Sequence, residues 1–104
     1  LADVDGVPFS ITDGAAHPTA GWIFSAVAED TRDSYNDGVL VGAGVGTVTD
    51  GDVVSSFARL GLQAKVEGIS AASGGSGQTV LTMVTDADDP TVAASLLTVT
   101  LPAA

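Results

Sequence analysis

Any chemistry in this 104-residue chain has to be built from thirteen carboxylates, one imidazole and three cationic side chains, because the chain contains no thiol. Three acidic clusters have the spacing of short cation-binding loops: Asp3-Val4-Asp5-Gly6, Asp50-Gly51-Asp52 and Asp86-Ala87-Asp88-Asp89. Calcium takes about six to eight oxygen ligands, so two or three carboxylates make only part of a site. None of the clusters continues to the distal glutamate of an EF-hand loop. Aspartate is also the ordinary residue of β-turns, where its side chain bonds its own backbone. Asp86, Asp88 and Asp89 form the best-placed calcium candidate, against turn chemistry as the plainer expectation, and no resident metal or cofactor is expected.

Catalytic arrangements are sparse. His17 is the only imidazole, so a Ser-His-Asp triad would have to use it, and none of the nine serines stands in a nucleophile-elbow motif. One histidine without cysteine is too little for a protein zinc site. Two aspartates can be paired on paper for glycoside hydrolysis, but a sugar cleft asks for more chain than this. The segment VLVGAGVGT at 39–47 spaces its glycines as G-x-G-x-G and runs into TVTDGD where a dinucleotide site needs a helix, so it reads as a glycine-lined strand. The expectation is a protein that is not an enzyme.

The charge balance narrows the partners. A formal charge of -10, with Arg32, Arg59 and Lys65 as the whole cationic supply, excludes nucleic acid and anionic membrane surfaces as direct partners. Tyr35, flanked by polar residues in RDSYNDG, and Asp37 beside it are candidate contact points for a protein partner. No apolar run approaches the roughly 20 residues that cross a bilayer as a helix, and LADVDG has neither the basic start nor the apolar core of a signal peptide. A soluble chain is expected, with Leu1 reading as a processed or internal start.

Strands must position these groups. VPFSIT at 7–12 alternates cleanly and is expected to end at the Asp13-Gly14 turn signal. WIFSAVA at 22–28 is apolar on both faces, as a central strand is. The polar stretch 29–38 reads as an exposed loop. In 39–48, Gly42, Gly44 and Gly46 fall on one face, where an aromatic ring can approach closely, and Trp22 is the expected ring. Val53, Phe57 and Leu60 recur at helical spacing behind Asp50 or Asp52 and before Gly61, predicting one short helix at 52–60. LQAKVEGI at 62–69 returns to alternation, SAASGGSGQ at 70–78 reads as a small-residue loop, and the remainder reads as a hairpin. No internal repeat is visible. With 28 Leu, Ile, Val and Phe residues the chain can fold as a single domain over 1–104. The expected class is all-β: an antiparallel β-sandwich or small barrel of six to seven strands with one short helix.

The stretch TVLTMVTDADDPTVAASLLTVTL at 79–101 resembles the last hairpin of bacterial immunoglobulin-like and cadherin-like adhesin modules, over about a quarter of the chain. That resemblance implies an extracellular adhesive or filament module whose acidic turn binds calcium. The residues taken by themselves favour another class. Strands apolar on both faces, a glycine-flattened strand, sixteen alanines and an apolar C-terminal strand suit a subunit that completes its core against copies of itself. The expected function is therefore a non-enzymatic structural subunit of a large symmetric assembly. A virion protein, such as a bacteriophage capsid decoration (cement) or tail component, is the leading case. Its partners would be its own copies and a major scaffold or capsid protein, in a virion or extracellular setting.

Overall fold

A computed structural model describes residues 3–4, 6–19, 21–30, 39–51, 53–61, 65–86, 91 and 93–102. The chain starts with a minimal hairpin, β1 (Asp3–Val4) and β2 (Val7–Pro8), and then lays down two antiparallel meanders. The first sheet is β3 (Ser10–Ala16), β4 (Trp22–Asp30), β5 (Val39–Asp50) and β6 (Val53–Arg59), paired in that order. The second is β7 (Val66–Ser73), β8 (Thr79–Thr85) and β9 (Leu96–Leu101). The protein is all-β, and among the described residues the sole helical feature is a 3-10 turn at Gly75–Gly77. Among the described residues no backbone ladder joins the two sheets.

Alternation along β4 divides the first sheet into two faces. Ile23, together with Val45 of β5, packs against Val66, Ile69, Leu81 and Met83 of the second sheet, and this is the inter-sheet core. Ser25 is buried on the same face, where its hydroxyl is satisfied by Thr12 Oγ1 at 2.8 Å. Phe24, Ala26 and Ala28 point the other way, opposite Gly46, Gly44 and Gly42 in register, and join Val7, Phe9, Val48 and Phe57 in a second cluster. The N-terminal segment covers that outer face only in part.

The two sheets are repeats of one pattern. The pair Ala16↔Trp22 closes the first β3–β4 connection, and Ser73↔Thr79 closes the β7–β8 connection at the same separation. In each, the first turn residue donates its N–H to the carbonyl of the fifth: His17 to Gly21 at 3.1 Å and Gly74 to Gln78 at 2.8 Å. Each first strand also carries a register shift near its start. In this correspondence Phe24 and Ala26 match Leu81 and Met83, while β9 matches β5. The face that the second sheet buries against the first is thus the counterpart of the first sheet's outer face. The repeat is invisible in the sequence because the two copies share a pattern of strand, turn and bulge but few residues.

Four local expectations are corrected. Residues 53–59 form the strand β6, not a helix. A register shift between Thr47↔Ser56 and Val48↔Val54 makes Ser55 an extra residue, so Val54 and Phe57 share a face at a spacing of three that imitates helical periodicity. Asp13-Gly14 does not end β3, which passes through both residues with its own bulge. The glycine face receives Phe24 over Gly46 and Phe57 over Gly44, whereas Trp22 lies on Gly14 of β3. β7 also extends to Ser73, leaving 74–78 as the connection.

Candidate functional site

Strand directions sort the chemistry to opposite ends of the molecule. At one end β4, β6 and β8 finish and β7 begins, bringing together Glu29, Arg59, Lys65, Glu67 and Asp86. Lys65 is largely shielded there, its Nζ 3.7 Å from Glu29 Oε2 and 4.0 Å from Glu67 Oε1. The Asp86 N–H donates to the Lys65 carbonyl at 3.0 Å, which ties the end of β8 to the start of β7. An ammonium group therefore supplies the positive charge at this cluster. Of the calcium candidates, Asp86 is exposed in this setting, while Asp88 and Asp89 lie outside the described residues. Among the described residues no three His, Cys, Asp or Glu side chains converge as a metal set. Tyr35 and Asp37 also lie outside the described residues.

The opposite end holds a cleft of about 720 Å³ between the two sheets. His17, Pro18 and Thr19 line it from the β3–β4 connection, Thr47, Thr49, Ser55 and Ser56 from β5 and β6, and Ser73, Gly77, Gln78, Thr79, Leu101 and Pro102 from the second sheet. Among the described residues no charged side chain takes part. The Thr19 N–H donates to His17 Nδ1 at 3.2 Å, so Nδ1 is an acceptor and the ring proton of the neutral imidazole sits on Nε2, facing Thr79 Oγ1 at 3.5 Å. A triad needs the reverse, an Nδ1–H donating to a carboxylate. His17 in this arrangement is a structural link between the two turns, and Thr47 Oγ1 is likewise engaged with Ser55 Oγ at 2.9 Å.

A third surface was only half legible. Asp13 Oδ2 accepts the Ile69 N–H at 3.0 Å, a clasp between the first strands of the two sheets that no local motif announces. That donor, with the N–H of Gly14 second, holds the Asp13 carboxyl below its ordinary value of 3.8. On the outer face of the first sheet Phe9 meets Phe57 edge-on at 5.0 Å, Phe57 stacks on Phe24 at 6.1 Å and Trp22 tilts against Phe24 at 5.6 Å. Among the described residues the exposed large hydrophobics are Ile11, Trp22, Val53, Val54, Val84 and Leu96. By register Ile11, Trp22 and Val54 belong to this aromatic face, and the directly paired Val84 and Leu96 to the outer face of the second sheet.

No helix among the described residues is long and apolar enough to cross a membrane. No curated protein and no solved structure matches the chain. The model of a family of unknown function, DUF6910, matches residues 1–90, and the chain belongs to that family.

Proposed function

We propose that this member of the family is a non-enzymatic structural module that builds a symmetric assembly by stacking its sheets head to tail against copies of itself. One observation carries the reading: the aromatic face of the first sheet is the counterpart of the face that the second sheet buries, yet among the described residues it is covered only by the segment around Val7 and Phe9. Trp22 remains 39% exposed and Val54 44%. The complementary surface is the outer face of the second sheet, where Val84 and Leu96 stand out. Five of the six exposed large hydrophobics thus fall on the two faces that such stacking would join.

The contact joins unlike surfaces, so it propagates until a rotation closes it into a ring or it runs on as an open stack. The finer architecture proposed is a two-layer, sandwich-like pair of sheets acting as consecutive layers of a radial array, in which repetition leaves few exposed edges. The virion subunit suggested by composition is one setting for such a module. The engaged Nδ1 of His17 and the ion-paired Lys65 support a non-catalytic role.

The test is light scattering on the chain and on two variants, Trp22→Asp and Leu96→Asp. The parent is expected to form defined multiples and each variant alone to be monomeric. An equimolar mixture of the two variants should give dimers and nothing larger, because only one intact contact can form. A parent that stays monomeric at millimolar concentration overturns the proposal, as does a mixture that behaves like its components.

A further inference from the structure

We infer that the second sheet has a vacant fourth-strand position along β9, and that its occupant is a single extended polypeptide segment, uncharged and rich in hydroxyl and β-branched side chains. The inference uses a different surface from the stacking faces and stands independently of them.

The unequal strand count is the starting point. The first sheet has four strands and the second, built on the same pattern, has three, with no strand beyond β9 among the described residues. On β6, the strand with no counterpart, Ser56 and Ala58 are the side chains that share a face with Thr47 and Val45, turned toward the second sheet. Val45 lies in the inter-sheet core, yet Ser56 and Ala58 are exposed, because no described strand of the second sheet lies opposite β6. The hydroxyl-lined cleft opens at this place, bounded by Ser55 and Ser56 on one side and Leu101 on the other. One added strand would occupy about 4.8 Å in the pairing direction. A second copy pairing β9 to β9 would bring a whole sheet and, by symmetry, set two β6 strands in the same space.

The backbone of β9 is ready for such an addition. Thr85 N–H donates to the Ser95 carbonyl at 3.0 Å, and alternation of hydrogen-bonded pairs then assigns Leu97, Val99 and Leu101 to the ladder with β8. The N–H and C=O groups of Leu96, Thr98 and Thr100 point outward. The edge LLTVTL carries no charge, no proline and no bulge, the devices that protect an edge from pairing. Leu97 and Val99 occupy the places that Gly44 and Gly46 hold in the first sheet, so the added strand has no room for rings there. This is why its side chains are hydroxyl or β-branched. Backbone ladder bonds supply the affinity in this mode of recognition, and alternate side chains supply the selectivity.

The probe is a blocked peptide of seven alternating threonine and valine residues with a lysine at each end for solubility. It is titrated against the chain in the Trp22→Asp background, which removes face stacking so that the two ideas fail separately. In the chain alone the amides of Leu96, Thr98 and Thr100 are expected to exchange with deuterium faster than those of Leu97, Val99 and Leu101, and the peptide should slow the first set. Thr98→Pro should weaken peptide binding by about tenfold or more through loss of an outward donor. Proline is tolerated at an edge where its missing N–H faces solvent, so the circular dichroism spectrum should not change. Equal binding by Thr98→Pro overturns the inference, and so does unaltered exchange with excess peptide. Should Thr98→Pro unfold, the exchange pattern alone decides. A doubling of mass without peptide that Thr98→Pro abolishes would identify β9 of a second copy as the occupant and overturn the single-segment assignment.

Discussion

Asp13 shows how much a single side chain can do outside any motif. Its carboxylate terminates an edge N–H of β7, fifty-six positions away in the chain, and in return is held below 3.8. A carboxyl whose folded value is depressed stabilises the fold fully above its unfolded value, and that contribution fades as the pH falls through the folded one. Asp13→Asn should therefore lower the urea midpoint at neutral pH. The gap to the parent should close as the pH drops below about 4, with urea titrations from pH 7 downward as the measurement. A gap that widens in acid would refute the assignment. Gly46 makes the complementary point about space. A methyl group there would land inside the Phe24 ring, which is fully buried, so Gly46→Ala should cost about 1–3 kcal/mol by overpacking. The glycine face itself was legible from three glycines two apart. Which ring would lie on it was not, because that depends on the register of β4 against β5, which sets Trp22 opposite Val48 and Phe24 opposite Gly46.

Among the elements, β6 was misjudged and the reason is physical. Its bulge at Ser55 inserts one residue into a period of two, and a period of two plus one cannot be told from a helical step over so short a stretch. Deleting Ser55 should restore strict alternation with Val54 and Phe57 still on one face, now at a spacing of two. The Phe57 ring then keeps its place in the aromatic cluster, so this deletion should retain a native-like near-ultraviolet circular dichroism spectrum. Loss of that aromatic signal in the deletion would show that the bulge itself is needed to seat the ring. The strands with clean alternation or apolar runs, β4, β5, β8 and β9, were readable because tertiary packing there agrees with the local pattern. Asp13-Gly14 misled because a bulge uses the same residues as a turn.

At the scale of the whole molecule, the all-β class followed from strand signals, while the doubling of one pattern did not. Two copies that conserve a hydrogen-bonded turn and a bulge keep backbone geometry, and backbone geometry leaves few fingerprints in side chains. The overall charge also bears on the proposed assembly. Copies each carrying -10 repel one another, and that repulsion is screened beyond a Debye length, about 30 Å at 0.01 M salt and 8 Å at 0.15 M. Raising sodium chloride across that range should increase the assembled fraction in sedimentation velocity runs. A decrease would mean that ion pairs, not apolar faces, hold the copies together. The separation of chemistry between the two ends has one more consequence. Glu29, Arg59, Lys65, Glu67 and Asp86 gather where β4, β6 and β8 finish, and the cleft around His17 opens at the far end with no charged side chain among the described residues of its lining. The molecule consequently has a front and a back. A surface coupled to the chain through residues of the Lys65 end would leave the hydroxyl cleft facing the solvent, so that every immobilised molecule stands the same way up.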